Sequence, residues 1–303
     1  MANSDTTSAL KPITKAGAQY NRQNSRPFGM IIVSFFKYAI LIFFAVAILF
    51  PIVMVVLSSF KTDLEYVNTT AFQLPENFLN FKNYIRFYEA SKFFPSLFNS
   101  CILVFFSVSL NVLLGTMTAY CLDRFNFPLK KPLRFLYMLS AIVPGVTLQL
   151  SIYKLFKEIH IQSWGGQFAA PVLIYAATDI VQIWIYLQFM EKIPVSLDES
   201  VKMDGGSYFR IFRSIVFPLL GPATATVIII KAVGVYNDMF IQYLYMSSGK
   251  RSISTMLSTF GGRAGSRIVQ NAGLVLAMIP TVVLFIIMQK YIFAGITAGS
   301  VKE

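Results

Sequence analysis

The sequence predicts an all-α membrane protein with six transmembrane helices, and three observations carry that prediction. Of 303 residues, 55% are hydrophobic and only 13% are charged, whereas soluble domains average roughly a quarter charged. The apolar residues gather into six runs, each long enough for the roughly 20 residues of a helical span. The basic residues recur in the loops between those runs and not on one face. The net charge of +12 therefore fits attraction to anionic lipid, and nucleic acid is not expected as a partner.

Residues 1–27 are polar and rich in Ser, Thr, Asn and Gln, which predicts a mobile tail. Residues 28–303 read as a single membrane domain. The first span, about Phe28–Phe60, is too long and starts too late for a cleavable signal peptide. Residues 61–94 carry acids, aromatics and Pro75, as an ordered loop with a short helix does. The second span, about Pro95–Leu122, holds both cysteines, Cys101 and Cys121. On one helix they lie about 30 Å apart, so they cannot bond each other, and they have no metal-ligand spacing. Both are expected as core residues.

The third span, about Leu133–Phe156, is followed by His160, the only histidine, expected at the surface. Phe168–Met190, Ile215–Leu244 and Ala272–Phe293 complete the six. Between the last two, "MSSGKRS" and "FGGRAGSR" mark an exposed, flexible loop over about residues 241–271. The positive-inside bias is shallow but favours an N-in, C-in topology.

One stretch does not fit its apolar surroundings. "PVSLDESVKMDGGSYFRIFRSIVFPLLGP", residues 194–222, places acids, bases and a glycine pair between the fourth and fifth spans. Its residues read as two short helices and a hinge. Pro194 stops the fourth span, Ser196 and Glu199 have capping-box spacing, and Gly205–Gly206 breaks the helix. Ser207 can cap a second helix, and Pro218 and Pro222 punctuate the entry to the next span. Helix chemistry alone leaves open an amphipathic loop lying at the membrane interface.

The order of residues in this stretch resembles the EAA loop of ATP-binding-cassette (ABC) importer permeases, written E-A-A, three residues, G, nine residues, I-x-L-P. Glu199, Gly205, Ile215 and Pro218 occupy its diagnostic places, with Ser200 and Val201 for the two alanines and Phe217 for the leucine. Asp204 and Gly205 fall where the sugar-permease version has D-G-A. "LFNSCILVFFSVSLNVLLGTMTAYCLDRF", "GVYNDMF" and the closing "FAGITAGSVKE" are similar to the second span, fifth span and terminus of the second, maltose-permease-like subunit of carbohydrate importers.

That resemblance implies the type I ABC importer fold, with residues 194–222 as a cytoplasmic coupling helix seated on an ABC ATPase dimer. It further implies a second homologous permease subunit, an extracytoplasmic solute-binding protein towards which the 241–271 loop reaches, and a carbohydrate substrate. The ending implies a tail inserted between the ATPase subunits, with Gly295 and Gly299 allowing an extended backbone and Val301 and Lys302 at its tip.

The chain has no G-x-x-x-x-G-K-[ST] loop. ATP and Mg therefore belong to the partner ATPase, this chain is expected to bind no cofactor, and no catalytic residue is assigned. Ionisable and amide groups inside spans usually face a pathway or a partner. Asp179 and Gln182 in the fourth span, and Lys231, Asn237 and Asp238 in the fifth, are the candidates. Lys231 departs from the small polar or apolar residue the family implies there, and a carboxylate, Asp179 or Asp238, is expected to neutralise it. The rival readings are an ABC permease for a non-sugar solute and an ion-coupled secondary transporter. The latter leaves the polar insert unexplained.

Overall fold

The computed structural model describes residues 28–70, 72–161, 166–247, 249–263 and 266–300; the expected tail at residues 1–27 lies outside them. Among the described residues every regular element is helical. Residues up to Met54 and residues from Val55 onward form two compact units. The first consists of most of α1 (Phe28–Ser59). In the most apolar 18-residue window of that helix no residue is buried within the protein. A helix apolar on every side needs lipid or another protein around it.

In the larger unit, the loop after α1 is more ordered than its composition suggests. It contains two short helices, α2 (Asp63–Asn68) and α3 (Lys82–Ala90). Thr62 and Glu65 close a capping box on α2, with the Thr62 amide donating to Glu65 at 2.6 Å and the Glu65 amide to Thr62 Oγ1 at 3.2 Å. The Ser266 hydroxyl and the Arg86 guanidinium, each 2.8 Å from the Asp63 carboxylate, hold its pKa below the usual range. The buried Lys61 ammonium donates to Thr69 Oγ1 and to the Thr70 carbonyl, which satisfies it without a carboxylate.

The core is organised around α4 (Phe93–Arg124), which packs against α7 (Ala169–Ala176), α8 (Ile180–Met190) and α11 (Gly221–Asn237). In turn α11 packs on α14 (Arg267–Ser300). Small residues line the contacts. Ala119, Ala223 and Ala232 are buried, and a Cβ on Gly115 would overlap the Gln182 side chain. Small residues let helix backbones approach closely where no water drives them together. Cys101 and Cys121 lie on exposed sides of α4, not in its core as expected, because the packed faces are those carrying Asn111, Gly115 and Ala119.

Three helices, Ile32–Ser59, Phe93–Arg124 and Arg267–Tyr291, are each long and apolar enough to span a membrane. The count reaches six when each of three bent pairs is taken as one span. The expected third span is such a pair: α5 (Lys130–Ser140) and α6 (Gly145–Glu158) meet at 106°. Pro144 breaks it, since it lacks an N–H and holds extended backbone at ψ 116°. The fourth bends by 53° between α7 and α8, and the fifth by 74° at Leu220, just before Pro222. The fifth helix also stops at Asn237, not Leu244. Asp238 turns out of the helix at ψ 120° and α12 (Phe240–Tyr245) begins anew.

The Ser/Gly-rich stretch after α12, expected as a flexible loop, is in part an ordered helix; Ser248, Ala264 and Gly265, within its two expected flexible points, lie outside the described residues. Ser252, Ile253 and Thr255 are buried, the Ile253 amide donates to Ser100 Oγ at 2.9 Å, and α13 (Ile253–Arg263) packs Met256 and Leu257 inward. Hydrophobic spacing at Ile253, Met256, Leu257 and Phe260 outweighs the glycines that follow it.

Candidate functional site

The polar insert folds into an elbow. Its first arm, α9 (Val195–Met203), is N-capped by Pro194, so the helix begins earlier than the Ser196 capping box predicts. Ser196 is already inside the helix, where its carbonyl accepts from Ser200 Oγ at 2.9 Å, and Glu199 is exposed. Pro194, at φ −61° and ψ 135°, is the N-cap and makes no side-chain cap hydrogen bond, so Ser196 falls one residue inside the first turn.

The arm ends in a Schellman motif. The Gly206 amide donates to the Val201 carbonyl at 2.8 Å and the Gly205 amide to Lys202 at 2.9 Å, with Gly205 at φ +76°. The two glycines serve different needs. Gly205 has open space around a virtual Cβ but a left-handed backbone, whereas a Cβ on Gly206 would strike the Val201 side chain and carbonyl. Asp204, exposed, is the helix C-cap just before them.

Ser207 caps the second arm, α10 (Tyr208–Leu219), by accepting from the Arg210 amide at 3.3 Å. A π-helical turn at Phe212–Val216 contains the half-buried Ile215, and Pro218 follows, exposed, just before the bend. The arm's inner side chains, Ile211 and Phe212, are buried, and Phe212 stacks against Tyr120 at 5.6 Å between ring centres. Its outer side is unusual for a polar connection. Leu197, Met203, Tyr208 and Phe209 are all exposed, Met203 at 89%.

A charged strut that sequence reasoning missed ties the elbow to α4. Arg124 at the helix end lies 2.9 Å from the carboxylates of both Asp123 and Asp198, and donates to the Ile193 carbonyl at 2.7 Å. Asp198 is nearly fully buried beneath α9. The available signal was the acid beside Glu199 and the "DR" ending the second span. Removing one partner of a buried ion pair costs about 3–5 kcal/mol, because the other charge stays buried. Arg124→Ala is accordingly expected to lower the thermal stability of the purified protein. Arg124→Lys should rescue it only in part, since an ammonium cannot reach three acceptors in one plane. Adding Asp198→Ala to Arg124→Ala should recover part of the loss. A melting temperature unchanged in Arg124→Ala would remove the strut's role.

The second group of candidates meets at the break in the fourth span. Asp179 N-caps α8, accepting from the Gln182 amide at 2.9 Å, and its other oxygen pairs with the Lys231 ammonium. Of the two carboxylates left open by the sequence, Asp179 is therefore the one that meets Lys231. Asp238 instead accepts from the Ile241 amide at 3.0 Å and starts α12, and Asn237 is exposed at the end of α11. Gln182 lines the cavity beside Asp179 and Lys231, but its amide is engaged. It is buried and donates to the Asn111 carbonyl at 2.8 Å.

Asn111 is the residue that makes the break possible. Its amide nitrogen lies 3.2, 3.5 and 2.9 Å from the carbonyls of Tyr175, Ala176 and Ala177, the loose end of α7. Interrupted helices persist at membrane depth only where such groups are satisfied or line a cavity. A small cavity of about 150 Å³ does lie beside Asp179, Lys231 and Val227.

At the other end of the chain, Gly295 and Gly299 belong to α14, which is helical as far as Ser300, so the backbone is not extended there as expected. Glycine in an apolar helix costs only about 1 kcal/mol relative to alanine. Val301 and Lys302 lie outside the described residues.

Bent spans, an ion pair at a helix break and a hinged polar elbow are features of a multi-pass membrane protein. Residues 111–298 match the family described as binding-protein-dependent transport system inner membrane component, and the chain belongs to that family of transporter membrane subunits. Among its relatives, the melibiose/raffinose/stachyose import permease protein MelC of Bacillus subtilis (strain 168) is 30% identical over 83% of this chain and 91% of its own. The arabinooligosaccharides transport permease AraQ of the same organism is 28% identical over 89% and 97%. A chain from the crystal structure of a bacterial ABC transporter involved in the import of the acidic polysaccharide alginate superposes with a TM-score of 0.73. It is 20% identical, covers 89% of this chain and 99% of its own, and so shares the fold.

Proposed function

We propose that this chain is one of two permease subunits of an ABC importer carrying an oligosaccharide into the cytoplasm. The observation that carries the reading is the elbow. Leu197, Met203, Tyr208 and Phe209 are exposed on it, as is Glu199, a mix of apolar and acidic groups suited to the cleft of a separate ATPase. That ATPase holds the ATP and Mg. Glu199, Ser200, Val201, Asp204 and Gly205 form the coupling arm, with Ile215 and Pro218 at its joint to the fifth span.

The elbow acts as a rigid lever. Its Schellman motif fixes the angle between the arms, and the Asp198–Arg124 strut passes its displacement to α4. Packed helices switch between discrete arrangements and do not deform continuously. Movement of α4 and α11 is then felt at the break holding Asp179 and Lys231. We place the translocation pathway along this pair, with Gln182 and Asn111 keeping the break intact and Asn237 and Asp238 at its far end. The terminus through Gly299, Val301 and Lys302 reaches towards the ATPase pair.

The oligosaccharide class rests on the names of the relatives, several of which import such sugars. An extracytoplasmic binding protein delivers the sugar, and both termini lie in the cytoplasm. The test is uptake of labelled raffinose by proteoliposomes holding the complete complex. Uptake is expected to require ATP on the elbow side and binding protein on the other. Uptake driven by an ion gradient without ATP would overturn the importer reading, and ATP-dependent uptake of a non-saccharide alone would overturn the sugar.

A further inference from the structure

A cavity walled by aromatic rings lies away from both sites above, where α6 ends and α12 packs beside it. It encloses about 520 Å³ and is lined by Tyr153, Phe156 and Tyr245 together with Lys157, Glu158 and His160. The Tyr245 ring lies 5.6 Å from that of Tyr153 and 6.1 Å from that of Phe156, so three rings form one wall. Pockets of about 300–1,000 Å³ with apolar walls and a few convergent polar groups are where small ligands bind.

Two locally unfavourable choices converge on this cavity. His160 is the only described non-glycine residue with positive φ, at +53°, in the position after the helix where glycine is preferred. Glu158 closes the same helix, where the negative end of the helix dipole disfavours an acid. Sequences that break local rules in one place commonly do so for function.

We propose that this cavity is a saccharide subsite at the mouth of the pathway, on the face that the charge pattern favours as extracytoplasmic. The inference rests on the oligosaccharide reading above and extends it to a particular site. The aromatic wall matches the apolar C–H face of a pyranose ring. Lys157, Glu158 and His160 supply donors and acceptors for the hydroxyls around its edge. The volume admits a disaccharide unit, so a longer substrate would be engaged by one end.

The test uses the complete complex in lipid nanodiscs, without binding protein, in a Cys101→Ser/Cys121→Ser background. Lys154→Cys, at an exposed residue beside the cavity that does not line it, carries an environment-sensitive fluorophore and raffinose is the probe, with mannitol at equal osmolality as control. A saturable fluorescence change with raffinose is expected. Tyr153→Ala should weaken it by about tenfold or more, the equivalent of one good contact, while Tyr153→Phe keeps it.

No saturable change, or an affinity indifferent to Tyr153→Ala, overturns the subsite. So does a separate Lys157→Cys variant whose thiol cannot be modified in the complex, because the second permease subunit then fills the cavity. Raffinose uptake by wild-type complex, measured in parallel, separates the two ideas. Uptake without a binding signal overturns the subsite alone, whereas absence of any saccharide uptake overturns the importer reading beneath it.

Discussion

Gly205→Val is expected to abolish transport while leaving the protein inserted and folded. Gly205 sits at φ +76° with nothing near a virtual Cβ, so the effect arises from the backbone alone. An L-residue in left-handed conformation costs about 1–2 kcal/mol, and a β-branched one more. The chain can relieve that strain only by opening the Schellman turn, which changes the angle between α9 and α10.

If the elbow seats on the ATPase, a loss of that size weakens association by about tenfold or more. Gly205→Asn is the graded control, because asparagine tolerates the left-handed region, and should retain most activity. Gly206→Ala should fail as well, through collision with Val201 and not through φ. The measurements are ATPase recovered by affinity capture of this chain, and membrane-inserted yield as the control. Full recovery of ATPase with Gly205→Val would end the coupling assignment.

The second large effect is expected at the ion pair, and it should be asymmetric. The Lys231 side chain is 19% exposed and that of Asp179 is 45% exposed. Asp179→Asn keeps the helix cap, since asparagine caps as well as aspartate, but strands the more buried ammonium. Lys231→Met strands the carboxylate, which still accepts from the Gln182 amide and can reach water. Asp179→Asn should therefore reduce uptake more than Lys231→Met.

A fully buried pair loses about 3–5 kcal/mol when broken. Partial exposure brings the figure here to about 1–3 kcal/mol, or roughly tenfold in rate if it falls on the transport transition. The double variant Lys231→Met/Asp179→Asn should recover part of the loss, with a coupling energy well outside the additivity of distant sites. Strict additivity in uptake would show that the two groups act independently.

Periodicity and composition were enough to expect helices and their approximate places, because a hydrocarbon solvent demands long apolar runs with every backbone group satisfied internally. The glycine hinge was legible for a related reason. Its conformational requirement is local, and Gly205 with Ser207 two residues on announces it without any tertiary information. The elbow's resemblance to the EAA loop rests on the spacing of Glu199, Gly205, Ile215 and Pro218, which survives the loss of both alanines.

What sequence alone misjudged depended on competition between neighbours. Ser196 and Glu199 had the right spacing for a cap, but Pro194 started the helix first. The 241–271 stretch had loop composition, but a buried face at Ile253, Met256 and Leu257 held part of it as a helix.

By itself, then, the amino-acid order determined the membrane class, the hinge and the need for a counter-charge to Lys231, since each follows from local sterics or from the cost of a charge in hydrocarbon. Only the tertiary structure decided which carboxylate meets Lys231, that Asn111 bridges the broken end of α7, and that Asp198 is locked under the elbow by Arg124. Those partners lie 52, 66 and 74 residues apart as read from their positions. Nothing in a helix or loop propensity reaches that far; only the packing of one helix on another brings such groups within hydrogen-bonding distance.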